Sequence, residues 1–129
     1  MSERNKEIVQ KVNDAFAANN PEEFLKHCAE NVKWTIVGEK TVDGIQGVRD
    51  FMKSMEGHEA PTFTVDRLIA NGDDVVCYGD MTMKNEQGET APYSYCDAYR
   101  FEGDKIAELR SYVIKLSHRG EEDKAAQAA

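Results

Sequence analysis

Residues 92–101 read Pro-Tyr-Ser-Tyr-Cys-Asp-Ala-Tyr-Arg-Phe, and their alternation decides how the rest of the chain is arranged. Side chains along a strand point to opposite faces in turn. Taken as a strand, the segment puts Tyr93, Tyr95, Asp97, Tyr99 and Phe101 on one face and Ser94, Cys96, Ala98 and Arg100 on the other. Four aromatic rings then share a face with one carboxylate. A carboxylate in such company is paired, hydrogen-bonded or pushed toward its neutral form, because desolvation disfavours the charge. Asp97 is the residue that this pattern singles out; the plainer alternative is a solvent-facing strand Asp, or a buried one that accepts bonds from a loop.

The surrounding pattern supplies partners for that strand. Turn signals at Asn71-Gly72-Asp73-Asp74, Asn85-Glu86-Gln87-Gly88 and Glu102-Gly103-Asp104-Lys105 separate strands Phe63–Ala70, Val75–Lys84, the central segment and Ile106–Leu116. Short turns make these four strands an antiparallel meander. Before them, Ile8, Val9, Val12 and Phe16 repeat at helical spacing within a helix from about Glu3 to Ala18. Asn20 and Pro21 cap and open a second helix that presents Phe24, Leu25 and Cys28 and ends near Ala29. The strand that follows has Val32, Trp34 and Ile36 on one face, and Gly38 to Gly44 reads as a polar loop. A third helix buries Ile45, Val48, Phe51, Met52 and Met55 and ends at Gly57-His58.

This order, ααβαββββ, predicts an α+β fold: a cone-shaped half-barrel whose curved antiparallel sheet wraps around three N-terminal helices. The domain spans residues 1–116, and residues 117–129 form a polar, alanine-rich tail with no apolar face. Cone mouths are where small ligands bind. In the last strand Ala107, Leu109, Ser111 and Val113 form the more apolar set, which places them inside and Arg110 outside. In Val75–Lys84 apolarity puts Val75, Cys77 and Gly79 inward. A bulge would instead bring in Tyr78 and Asp80, and both facings stay open.

Bulk properties exclude several function classes. A chain of 129 residues with 24 acids against 16 bases carries a net charge of −8 and no basic block. Nucleic acid and anionic membrane surfaces are therefore not expected partners. No stretch approaches bilayer-spanning length, and the polar opening MSERNKEIVQ has no signal core. The odd cysteine set, Cys28, Cys77 and Cys96, reads as reduced thiols of a cytoplasmic protein. The scattered His27, His58 and His118 offer no metal spacing, so no metal or other cofactor is expected.

The pattern ENVKW, the loop-and-helix run GIQGVRDFM and the segment CDAYRFEGDKIAELRSY resemble the nuclear transport factor 2-like superfamily. Within it, the chain is most similar to the ketosteroid isomerase and SnoaL-like polyketide cyclase group. The resemblance spans about residues 5 to 116 and implies the same cone, usually a homodimer packed through the outer face of the sheet. It places Asp97 at the position of the isomerase acid, before Tyr99-Arg100-Phe101. It does not supply the other isomerase parts: Trp34-Thr35-Ile36 stands where that family's general-base Asp belongs, and Val12 where its oxyanion tyrosine belongs. The limonene-epoxide hydrolase triad is likewise incomplete, with Tyr95-x-Asp97 and Ile114 at its positions.

What the resemblance implies is a small-molecule enzyme of isomerase or cyclase type, with Asp97 as general acid/base on a hydrophobic, carbonyl-bearing substrate. Phe16, Trp34, Phe51, Met55, Phe63, Tyr78, Tyr95, Tyr99, Leu109, Ser111 and Val113 are the expected substrate-binding residues, with Tyr78, Tyr95 or Tyr99 giving hydroxyl donors. Trp34 reads equally well as plain core. The alternatives are a non-catalytic binding module for a small hydrophobic ligand and a dimeric protein-interaction domain, since fold does not fix function.

Overall fold

The computed structural model describes residues 2–54, 62–84 and 88–116. Helix α1 (Ser2–Ala17) and helix α2 (Pro21–Leu25) lead into strand β1 (Cys28–Ile36). Asn20 caps α2 by accepting the Glu23 amide at 3.4 Å, with Pro21 opening the helix. Strand β2 (Lys40–Asp43) and helix α3 (Gly44–Lys53) follow, then β3 (Thr62–Phe63), β4 (Arg67–Asn71), β5 (Asp74–Lys84), β6 (Thr90–Glu102) and β7 (Lys105–Lys115). The sheet order is β2-β1-β7-β6-β5-β3, with β4 also paired to β5. The helices lie against one face of this curved, unclosed sheet, giving the expected α+β architecture.

Several details differ from the sequence reading. The sheet is mixed, because β1 runs parallel to β7 while the other pairs are antiparallel. The expected 38–44 loop contains β2, held to β1 by pairs from Lys33↔Asp43 to Ile36↔Lys40 and by a 3.1 Å contact between the Thr35 and Thr41 hydroxyls. Helix α2 stops at Leu25 rather than near Ala29. Cys28 belongs to β1, where it pairs with Ile106, and His27 lies in the connection between them. Helix α3 closes at Ser54, short of Gly57. Met55, His58, His118 and the 117–129 tail lie outside the described residues.

The expected strand Phe63–Ala70 is two strands, β3 and β4, separated by Thr64, Val65 and Asp66. The cause sits on the neighbouring strand. Gly79 faces inward without a side chain, and a Cβ there would lie 2.1 Å from the Thr64 carbonyl oxygen. The chain dips into that space, pinned by Thr64 N–H to Asp80 O at 2.9 Å and Asp66 N–H to Tyr78 O at 2.8 Å. A second irregularity falls between β6 and β7, where Arg100 pairs with Glu108 but Phe101 pairs with Ile106. The extra residue, Ala107, turns Ile106 inward, and it is fully buried although its parity had placed it with Arg110.

The core fills the concave side. Val9 and Val12 of α1, Phe24 of α2, Val48 of α3 and Val32, Val75, Ile106 and Leu109 of the sheet are fully buried. Three polar residues are buried with them: Asn5, Asn13 and Ser111.

Candidate active site

The β5–β6 register runs without a break from Asp74↔Arg100 to Lys84↔Thr90. Parity therefore holds along both strands. Tyr93, Tyr95, Asp97, Tyr99 and Phe101 share the helix-covered face, while Tyr78 and Asp80 stay on the outer one. Tyr78 is 39% exposed, which removes it from the expected pocket, and Asp80 accepts a hydrogen bond from the Ser94 hydroxyl at 3.0 Å.

Burial varies along the inner face. One end is closed by Tyr99, Phe101, Val75, Ile106 and Leu109, all at 2% exposure or less. Toward the other end Tyr93, Met81 and Phe63 are half-buried and Val113 is exposed. Val113 loses its cover because β1 last pairs with β7 at Ile36↔Ser111, two residues earlier. Asp97 stands between these ends and is half-buried.

Asp97 has Cys77 beside it on β5 and Ser111 on β7. The Ser111 hydroxyl is the neighbour that favours the charged carboxylate. Ser111 Oγ in turn accepts the Trp34 indole N–H at 2.9 Å. Burial lifts the Asp97 carboxyl from 3.8 to about 6, and the Ser111 hydrogen bond acts against that rise. A carboxyl at about 6 is mainly ionised at neutral pH, yet close enough to exchange its proton there.

Trp34 is fixed by rings from all three helices: Phe16 at 6.2 Å, Phe24 at 5.7 Å and Phe51 at 5.4 Å between centroids. Lys40 lies 4.7 Å over the Phe51 ring and ties β2 into this cluster. Trp34 is thus both core and a direct part of the Asp97 surroundings.

The inward tyrosines differ. Tyr95 donates its hydroxyl to the Thr64 carbonyl at 2.7 Å, the oxygen that the Gly79 gap admits, and packs edge-on against Phe63 at 6.1 Å. Tyr99 keeps a buried hydroxyl with no hydrogen-bond partner among the described residues. Burial first, and then the Asp97 charge, hold the Tyr99 phenol well above its ordinary range. Cys77 accepts the Asn13 amide N–H at 3.5 Å, and burial keeps its thiol protonated, as it does for Cys28, pushed up to about 12. Neither is a nucleophile at neutral pH.

Asn13 and Ser111 show what sequence reasoning passed over. Asn13 lies four residues after Val9 on the apolar stripe of α1, and Asn5 four before it; a polar residue on that stripe was the available signal. Ser111 was placed inward, but its bond to Trp34 joins residues 77 apart. No group of acids, histidines and cysteines among the described residues is arranged to hold a metal. No described helix is long and apolar enough to cross a membrane. Two shallow depressions lie away from Asp97: one of about 340 Å³ between α1 and the 65–68 segment, and one of about 400 Å³ on the outer sheet face around Val76 and Ala98.

Comparison with known proteins bears on this geometry. Residues 9–109 match the SnoaL-like domain. An NTF2-like protein of unknown function from Cytophaga hutchinsonii is 28% identical, with a TM-score of 0.70 over 84% of this chain and 98% of its own. An NTF2-like protein from Burkholderia pseudomallei superposes at 0.79 with 21% identity over 84% and 89%. An LEH-like epoxide hydrolase from M. tuberculosis superposes at 0.77 with 13% identity over 87% and 84%. These last two likenesses are of fold. No curated protein matches the chain.

Proposed function

The chain belongs to the SnoaL-like domain family, whose NTF2-like fold serves isomerases, cyclases and epoxide hydrolases, and on that premise we propose that it is a small-molecule enzyme of isomerase or cyclase type. Asp97 acts as general acid/base on a hydrophobic substrate that carries a carbonyl group. One observation carries the reading: an inward carboxyl on a strand face of aromatic rings, raised by burial to about 6. Proton transfer is most efficient when the group's affinity lies near the working pH.

The value also supports one of two roles over the other. An acid that stays neutral to donate a hydrogen bond to an enolate must titrate well above neutral pH, as in the isomerases used as the standard example of that device. Burial raises the Asp97 carboxyl less than that, which favours the reading in which it takes the proton first and returns it later. The Tyr99 hydroxyl supports the other half of the chemistry. It is buried with no hydrogen-bond partner among the described residues, and a developing enolate oxygen brought to it would be an acceptor. Phe16, Trp34, Phe51, Phe63, Tyr95, Ser111 and Val113 stay on the substrate side of this reading, while Leu109 lies buried in the closed end.

The test is a panel of enones and polyketide-like esters assayed with the wild type and Asp97→Asn. A loss of about 10²–10⁴ in kcat for the variant is expected. Undiminished turnover in the variant would overturn the assignment.

A second reading, a binding module for a small hydrophobic ligand, is favoured by the outward placement of Asp80, which leaves Asp97 without a second inward carboxylate beside it among the described residues. Saturable binding from the same panel with no turnover would establish it. We also read the chain as a cytoplasmic homodimer joined through the outer sheet face. Ile69, Tyr78, Tyr112 and Ile114 are exposed there at 54%, 39%, 38% and 63%. Sedimentation of the wild type against Ile114→Glu tests that association; equal monomer behaviour in both would end it.

A further inference from the structure

We propose that Trp34 is a positioning residue for Asp97, its indole N–H directing the Ser111 hydroxyl proton onto the carboxylate. The inference deepens the acid/base reading of Asp97 and rests on it for its functional meaning. Its physical content concerns three side chains and can be tested without substrate.

An indole N–H can only donate, whereas a serine hydroxyl has one proton to give and lone pairs that accept. Trp34 Nε1 lies 2.9 Å from Ser111 Oγ, so the oxygen receives there and its own proton must point elsewhere. Asp97 is the cross-strand partner of Ser111 in the β6–β7 ladder, on the same face, and is the acceptor we assign to that proton. An ionised carboxylate accepts that proton more strongly than the neutral acid does. The line Trp34 → Ser111 → Asp97 therefore favours the charged carboxylate against the dry surroundings.

The direction of the line is set from far away. Phe16, Phe24 and Phe51 hold the indole from α1, α2 and α3, with ring separations of 5.4 to 6.2 Å. The other titratable groups facing this part of the sheet are Cys77, Tyr95 and Tyr99, each held toward its neutral form by burial. Among the described residues the buried parts of the helices contribute no charged side chain. Ser111 is therefore the named polar contact of the carboxylate, and Trp34 governs how Ser111 is turned. A core tryptophan that merely satisfied its own N–H would have no effect on Asp97.

Carboxyl carbon NMR titration of the wild type, Ser111→Ala, Ser111→Thr and Trp34→Phe decides the matter, with Asp97→Asn assigning the resonance. Loss of the hydroxyl in Ser111→Ala is expected to raise the Asp97 midpoint by about one pH unit. Ser111→Thr, which restores a hydroxyl, should return it near the wild-type value. Trp34→Phe keeps an aromatic ring but no donor, and should raise the midpoint by about half a unit. Because the chain has one tryptophan, the unmodified protein offers a second readout. Its single indole N–H resonance should shift with the same midpoint as the Asp97 carboxyl. An indole signal flat across that range, or an Asp97 midpoint unmoved in Trp34→Phe, overturns the proposal. Asp97→Asn keeping full turnover would instead strike only the enzyme reading and leave the titration result standing.

Discussion

The two faces of the β5–β6 hairpin place similar side chains in opposite circumstances. On the outer face Asp80 meets the Ser94 hydroxyl, and Asp74 meets Arg100 at 3.1 Å with both partners more than half exposed. On the inner face Asp97 meets one hydroxyl among aromatic rings and is shifted upward by burial. Both faces carry carboxylates and tyrosines. Only facing, fixed by an unbroken ladder, separates a solvated surface from a site with tuned proton affinity.

The sharpest way to break this contrast is to fill the inner face where it admits backbone. Gly79→Ala would set a Cβ against the Thr64 carbonyl, with the Asp66 amide 3.2 Å away on the other side. These are backbone atoms, so no rotamer change relieves the clash, and the 64–66 segment has to move. A loss of about 3 kcal/mol is expected in urea unfolding. The Tyr95 hydroxyl also loses its acceptor. An alanine variant as stable as the wild type would show that this crossing is freely displaced.

The next effect comes from the charge itself. A carboxyl raised to about 6 when folded binds more protons than the unfolded chain between pH 3.8 and 6. Its contribution to stability is therefore greatest below about 3.8 and declines as pH rises through about 6. At neutral pH Asp97 costs stability, as active-site groups often do. Asp97→Asn should gain roughly 2 kcal/mol at pH 7.5 and lose that advantage by pH 4. Asp80→Asn, on the outer face, should stay within about 0.5 kcal/mol of the wild type. Parallel unfolding curves at the two pH values give both numbers, and equal gains for the two variants would erase the distinction between the faces.

Sequence alone carried the facing of β6 because period-two alternation survives wherever pairing is continuous. Helices α1 and α3 were legible for the analogous reason at helical spacing. What escaped was set across the sheet. Thr64-Val65-Asp66 has nothing in its composition to forbid a strand; the break follows from Gly79 on the neighbouring one. The parallel β1–β7 pair and the Ala107 bulge likewise depend on partners far along the chain. Strand β2, with one half-buried residue in Lys40–Asp43, lacks the alternation that would announce it. At the site, Asp97 was visible through its own strand. The Trp34–Ser111 bond was not, since it forms only once the helices have packed the indole.

The finest comparison lies within the inner face, between Tyr95 and Tyr99. They sit four residues apart and face the same way, but one hydroxyl is used and the other has no partner among the described residues. Tyr95→Phe leaves the Thr64 carbonyl without that donor and should cost about 1 kcal/mol. Tyr99→Phe removes a buried hydroxyl that has no described partner, and should be neutral or stabilising by about 1 kcal/mol. If Tyr99 serves an enolate, the same stable variant should lose kcat while KM changes little, because its hydrogen bond strengthens in the transition state. A Tyr99→Phe protein that is clearly less stable than wild type would mean that the hydroxyl is already satisfied in the resting protein, by water or a neighbour. It would then hold the core together and have no free bond to offer a substrate.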